Sequence, residues 1–154
     1  MSFEYFEKSD THIAEKLIKE QGPDVCRNII SKHYINKYDF GYLSKSTVAQ
    51  IGQTRSRRTS QNTRVTSFVL CKFHPEFDEI DISLICARPR SMHGKELIEL
   101  VKQKAISLKC KYLSLLSIGD TKLVNWYKSQ GFDIISEKEF PTGGVKAYYM
   151  KCLV

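Results

Sequence analysis

What the sequence lacks narrows its class. Its 154 residues contain no apolar run near the roughly 20 residues that a membrane helix needs. The opening Met1-Ser2-Phe3-Glu4-Tyr5 does not show the basic-then-apolar pattern of a secretory leader. No repeat and no low-complexity linker divides the chain, so a single domain over residues 1–154 is expected. Five cysteines are present, Cys26, Cys71, Cys86, Cys110 and Cys152, and no two stand at a Cys-x-x-Cys spacing. A zinc site is therefore not expected. The cysteines are scattered and odd in number, and four lie in apolar surroundings, which reads as buried free thiols in a reducing interior. That points to the cytoplasm, with the nucleus left open. His12, His33, His74 and His93 have no ligand company in the sequence, and Ser117 has no His and Asp arranged with it, so a metal or Ser-His-Asp hydrolase reading gains little.

What is present fits a globular domain. The chain is 42% hydrophobic and 27% charged, and it is long enough to bury a core without staples. The formal net charge of +7 favours anionic partners: nucleic acid, a membrane surface or a phosphorylated cofactor. Arg55, Arg57, Arg58 and Arg64 cluster in a Ser/Thr-rich stretch without interleaved aromatics, so base stacking is not indicated and a solvated loop is the default. Against them stand Glu76, Asp78, Glu79 and Asp81, just before an apolar strand.

Periodicity supplies the elements. Thr11 to Gln21 reads as a helix with Ile13, Leu17 and Ile18 on one face, stopped by Gly22-Pro23. A second helix opens at Pro23-Asp24 and fades near Tyr34. Residues 40–51 have mixed strand character, and 52–63 form a polar loop. Val65–Phe73 and Ile80–Ala87 read as strands, followed by a loop Arg88–Gly94. Lys95–Lys109 is the clearest helix, with Leu97, Leu100, Val101, Ala105 and Leu108 at helical period. Tyr112–Ile118 is a strand, and Asp120 can cap a helix running through Lys128 with Gly131 as its left-handed stop. Asp133–Phe140 and Val145–Leu153 are the last strands, joined through Pro141-Thr142-Gly143-Gly144. The order gives a mixed α/β sheet with a central βαβ crossover over strand 80–87, helix 95–109 and strand 112–118.

Two segments carry chemistry. The helix after the Arg88–Gly94 loop presents unpaired N–H groups and a partial positive charge, and Gly94 lets backbone come close, so the loop can take a pyrophosphate. Arg88, Arg90 and Lys95 add charge. A plain strand-to-helix turn is the alternative. The second segment is Asn125-Trp126-Tyr127-Lys128-Ser129-Gln130-Gly131-Phe132. A tyrosine four residues before Gly-Phe, at the end of a short helix leading into a strand, resembles the GNAT superfamily of acetyl-CoA-dependent N-acetyltransferases. The resemblance extends backwards. Ile82–Ala87 looks like that family's fourth strand, Pro89–Gly94 occupies its Q/R-x-x-G-x-G/A pyrophosphate loop, and Tyr148–Lys151 is similar to its last strand. Within the loop only the final glycine, Gly94, fits; Pro89 stands at the Q/R position and Met92 at the middle glycine.

The resemblance implies an α/β (α+β) fold with a mixed, mostly antiparallel central sheet and helices on both faces. It implies acetyl-CoA as co-substrate and an amine acceptor, a polyamine-like small molecule or a protein lysine or N-terminus, attacked directly. Ile85, Cys86 and Ala87 would offer backbone groups to the pantetheine arm. Arg90, Ser91, Met92, His93, Gly94, Lys95 and Asp120 would surround the cofactor, with His93 in contact with it or exposed. Tyr127 would protonate the departing thiolate, its phenol near 10 being protonated at neutral pH; the alternative is that it fills the core beside Leu123. Glu79 and Asp81 are the candidate bases, against the plain reading of a solvated hairpin turn. Tyr38, Tyr42 and Phe140 would lie near the acceptor edge. The sequence leaves the oligomeric state open, a dimer included. Two other readings stand beside it: a basic nucleic-acid-binding module on the same fold without catalysis, and a silent acyl-CoA sensor.

Overall fold

The computed structural model describes residues 3–8, 12–26, 38–48, 62–87, 92–139 and 146–154. Within them the chain runs β1 (Glu4–Glu7), α1 (His12–Val25), β2 (Phe40–Val48), β3 (Asn62–His74), a 3₁₀ turn at Pro75–Phe77, β4 (Glu79–Ala87), α2 (His93–Ser107), β5 (Tyr112–Ile118), α3 (Thr121–Ser129), β6 (Asp133–Glu139) and β7 (Lys146–Leu153). Seven strands form one sheet in the order β1-β2-β3-β4-β5-β7-β6. Every pairing is antiparallel except β4 with β5, which α2 joins as a crossover. This is the mixed α/β architecture that the element order implies.

Two cores explain why the helices take opposite faces. Leu97, Ile98, Val101 and Ala105 of α2 and Val124 and Tyr127 of α3 bury against Val69, Ile80, Ile82, Leu113, Leu115 and Met150. Ala14 and Ile18 of α1 bury on the other face against Phe68, Leu70, Leu84 and Cys86. The residues of β3 from Val65 to Cys71 are all buried because both faces of that strand are covered.

A one-residue slip divides β4 between the cores. Leu84 pairs with Leu70 and Ile82 with Cys71, so Ser83 has no partner on β3. The bulge flips the alternation: Ile80 and Ile82 face α2, whereas Leu84 and Cys86 face α1.

Several expectations need correction. Helix α1 does not stop at Gly22-Pro23 but continues to Val25. Proline removes one donor, yet the turn closes through Cys26 N–H donating to the Gly22 carbonyl at 2.8 Å. Packing holds it there, since a Cβ on Gly22 would lie 3.3 Å from the Phe68 ring. The second helix expected to fade near Tyr34 lies beyond Val25 outside the described residues. So do Arg55, Arg57, Arg58 and the Pro141–Gly144 connection; Arg64 is exposed on β3. Helix α2 begins at His93 rather than Lys95. Strand β1 has no counterpart in the sequence reading, because only Phe6 of its four residues is buried and no period can show. The cysteines are not all free. Cys26 and Cys86 meet in a disulfide with Cα atoms 5.3 Å apart, a normal span for that bond, while Cys71, Cys110 and Cys152 are free and buried. No helix among the described residues is long and apolar enough to cross a membrane.

Candidate functional site

The site is built where two neighbouring strands part. Strands β4 and β5 pair from Glu79 with Tyr112 to Ile82 with Leu115 and no further, although β4 runs on to Ala87 and β5 to Ile118. Among the described residues, the edge of β4 that faces β5 has no strand partner from Ser83 to Ala87. The parting begins at the bulge, where Ser83 is paired on neither side. Such an edge offers backbone N–H and C=O groups to an extended ligand carrying amides. Ile85, Cys86 and Ala87 lie along it. The side chain of Cys86 is committed to Cys26 on the α1 face.

The start of α2 stands beside the end of this edge. A Cβ built on Gly94 would lie 3.7 Å from the Ala87 Cβ and 3.0 Å from two atoms of the Trp126 ring. The glycine therefore also serves close packing between α2 and α3. Met92 caps the helix without a side-chain bond and is exposed, and Lys95 is exposed. The first turn of this 15-residue helix leaves its N–H groups pointing out of the helix end with partial positive charge. Arg88, Arg90 and Ser91 lie outside the described residues. His93 is not exposed. It is buried, its Nδ1 is 3.2 Å from Ser67 Oγ, and the Phe3 ring meets it edge-on at 5.9 Å. It ties the head of α2 to β3.

Helix α3 brings Tyr127 to the same side of the sheet. Asp120 caps it, its Oδ1 accepting the Lys122 N–H at 2.9 Å, so that carboxylate serves the helix end. Gly131 takes φ of +102°, the conformation that favours glycine, and turns Phe132 back against Tyr127 with ring centroids 6.0 Å apart. Trp126 flanks Tyr127 at 5.2 Å. Tyr127 is buried among them, and burial pushes its phenol up to about 12. The tyrosine is thus part of the core cluster that also holds Ile82 and Leu115, the last paired positions of β4 and β5.

The carboxylates lie on the opposite face. Leu113 and Leu115 point into the α2 core, so alternation turns Ser114 the other way. Ser114 Oγ donates to Glu79 Oε2 at 2.9 Å and stands 3.2 Å from Asp81 Oδ1. Glu79 also holds Lys151 at 3.0 Å and Tyr149 Oη at 3.4 Å. It is only 8% exposed, so the solvated-turn reading of these acids is wrong. The cause is the parallel pairing of β4 with β5, which puts Ser114 beside Asp81. Burial raises the Asp81 carboxyl above the usual range, and the like charge of Glu79 adds to this; Ser114, His74 and Lys72 oppose it. Among the described residues, Glu79 meets Ser114, Lys151 and Tyr149, whereas Asp81 meets Ser114. Leu116 and Ile118 are exposed on this same face beyond the cluster. Tyr38 is not available to an acceptor: it is buried under α1 and donates to Glu15 at 2.7 Å. Tyr42 is partly buried on the α2 side, and Phe140 lies outside the described residues.

Sequence reasoning passed over Ser83, Ser114, Trp126, Tyr149 and Lys151. For the two serines a signal existed. Each interrupts an apolar strand, Ile82-Ser83-Leu84 and Leu113-Ser114-Leu115, where a polar side chain needs a reason.

No protein-family model and no curated protein sequence matches the chain. Solved structures do. An acetyltransferase of the GNAT family from Desulfovibrio desulfuricans superposes with a TM-score of 0.70 at 11% identity, over 99% of each chain. The ribosomal-protein-S18-alanine N-acetyltransferase of Escherichia coli gives 0.65 at 14% identity, over 99% of this chain and 94% of that one. An aminoglycoside 6'-N-acetyltransferase complexed with coenzyme A gives 0.67 at 9% identity, over 99% and 97%. The chain has the fold of the GNAT N-acetyltransferases.

Proposed function

We propose that the chain transfers an acetyl group from acetyl-CoA to a primary amine by direct attack. The observation that carries this is the parting of β4 from β5 after Ile82 and Leu115, with the head of α2 beside the free end of the gap. It supports an arm held along Ile85–Ala87 and a pyrophosphate at residues 90–95, near the N-terminus of α2. The co-substrate is in keeping with the coenzyme A in a solved neighbour of the same fold.

In this reading the amine approaches from the Asp81 face and the sulfur departs on the Tyr127 face. The amine nitrogen bonds to the thioester carbonyl carbon, the C–S bond breaks, and the amine proton passes to a carboxylate. Asp81 suits that task better than Glu79. Burial raises its carboxyl and it has one hydrogen-bond partner, Ser114, while Lys151, Ser114 and Tyr149 occupy Glu79. Tyr127 takes a different part from full acid. With its phenol near 12 and a thiol near 8.5, complete transfer to the thiolate is about 5 kcal/mol uphill, so the phenol donates a hydrogen bond to the developing charge. The acceptor is a polyamine-like molecule or a protein amine, drawn by the carboxylates and covered by Leu116 and Ile118.

Calorimetric titration with acetyl-CoA tests the proposal, followed by thiol release with a panel of amines. Micromolar binding and amine-dependent release are expected. Absence of binding at high micromolar concentration ends the reading; binding without release by any amine leaves a sensor.

A further inference from the structure

The Ser83 hydroxyl is anomalous. Among the described residues, Ser83 Oγ is the buried side-chain N or O atom that meets no hydrogen-bond partner. A buried hydroxyl left unpaired costs stability, and alanine would fit the same strand without that cost. The residue also sits at a particular place. It is the bulged position of β4, unpaired with β3, and it is the first position at which β4 has lost β5. Ser83 is therefore at the apex of the gap, with Asp81 two positions before it.

The direction of a ligand in the gap follows from its two ends. The head of α2 lies next to Ala87, the open end. An anionic group belongs there, so an arm that runs along Ala87, Cys86 and Ile85 brings its other end to Ser83. At about 3.3 Å per residue, four residues separate the phosphate end from the apex by roughly 13 Å. The reacting end, with its carbonyl oxygen as acceptor, arrives where, among the described residues, the one buried side-chain donor without a partner stands.

We infer that Ser83 is a catalytic residue whose hydroxyl donates to the carbonyl oxygen of the bound acyl group. This rests on the acetyl-transfer reading. As the amine nitrogen adds, the C=O π electrons move to that oxygen, and the Ser83 bond strengthens with the charge; they return as the C–S bond breaks. Ser83 keeps its proton throughout. A donor aimed at developing charge in a site shielded from water acts mainly on the rate. The unpaired hydroxyl of the free protein is the counterpart of that preorganisation.

The test uses Ser83→Ala and Ser83→Thr in the full chain. Ser83→Ala is expected to melt at or above the wild-type temperature, because it removes an unpaired group. Its affinity for coenzyme A, which lacks the acyl group, stays within about twofold, while kcat falls by about 100-fold or more, the usual effect of one lost donor. Ser83→Thr, which keeps the hydroxyl, retains more turnover than Ser83→Ala. If Ser83→Ala does not fold, Ser83→Cys, with a weak donor of similar size, is expected to show the same loss of kcat at unchanged coenzyme A affinity. An active wild type with undiminished kcat in the folded alanine or cysteine variant overturns the assignment and leaves the acetyl-transfer reading standing. An equal loss in coenzyme A affinity and in rate also overturns it, since the hydroxyl would then touch the arm. A wild type that does not bind acetyl-CoA removes both.

Discussion

Tyr127→Phe separates the core packing of this side chain from the hydrogen-bond donation proposed for it. The substitution deletes Oη and leaves the ring between Trp126 and Phe132, whose centroids lie 5.2 and 6.0 Å away. Packing is therefore kept, and stability at neutral pH should change by no more than about 1 kcal/mol. The catalytic term is larger. A hydrogen bond to a charged group contributes about 1.5–3 kcal/mol, and about 1.4 kcal/mol is tenfold, so kcat should fall by roughly 10- to 150-fold with little change in acetyl-CoA affinity. Thiol release at saturating acetyl-CoA, with calorimetry for affinity, measures both. An unchanged rate would leave Tyr127 as core alone. A loss beyond about 10⁴-fold would mean full proton transfer after all, against a phenol near 12.

Alkaline unfolding checks the same burial independently of any reaction. The phenol is raised from its ordinary 10 to about 12 in the folded chain. Its contribution is then fully present below pH 10 and is lost as the pH rises towards 12. Wild type should lose stability relative to Tyr127→Phe across that window and not below it. Parallel curves through pH 12 would show that the phenol is not buried as described.

Other perturbations reach the remaining parts of the site. Because burial raises the folded carboxyl of Asp81, its effect on stability is most favourable below the unfolded value of 3.8 and becomes unfavourable as pH rises through the raised value. Asp81→Asn should therefore gain stability over wild type at neutral pH, lose that gain in acid, and lose turnover; urea titrations at pH 3 and 7 with thiol-release assays decide it. Gly94→Ala places a Cβ 3.0 Å from the Trp126 ring and should destabilise by about 1–3 kcal/mol, relieved by Trp126→Leu in a thermal melt of the double variant. The Cys26–Cys86 bond spans 60 residues of sequence, and a loop of that size constrains the unfolded chain by about 4 kcal/mol. Dithiothreitol should lower the urea midpoint accordingly, and Cys26→Ser should abolish the difference; equal midpoints for oxidised and reduced wild type would contradict the pairing.

The fold was legible where one period ran uninterrupted. Helix α2, with Leu97, Val101 and Ala105 on one face, and strand β5 were readable because each buries one continuous stripe. Legibility failed where tertiary contact overrode a local rule. Gly22-Pro23 is a strong stop, but the Phe68 ring packs on Gly22 and carries the helix through. Strand β1 buries one residue of four and owes its existence to β2. The Cys26–Cys86 pairing joins the end of α1 to the end of β4, and nothing in the spacing of two cysteines 60 residues apart announces it.

The site was less legible for a related reason. A linear motif reports which residue types stand at which spacing, whereas this site is made by pairings that begin and end. Gly94 fits a phosphate loop by sequence, yet Trp126 across α3 also requires a small residue there, so its presence alone cannot separate the two demands. His93, its neighbour, turns inward to Ser67. By contrast, the register of β4 points to a site without any motif. It is paired with β5 for four positions, slipped by one residue against β3, and then free along one edge. Such a strand pays twice in lost backbone bonds, at the bulge and along the gap. Both lapses meet at Ser83, where a hydroxyl adds a third unpaired group. Three such costs at one residue are hard to account for as packing, because alanine in a regular strand would avoid them. They are intelligible together if the missing partners belong to a ligand that enters the gap from the end of α2.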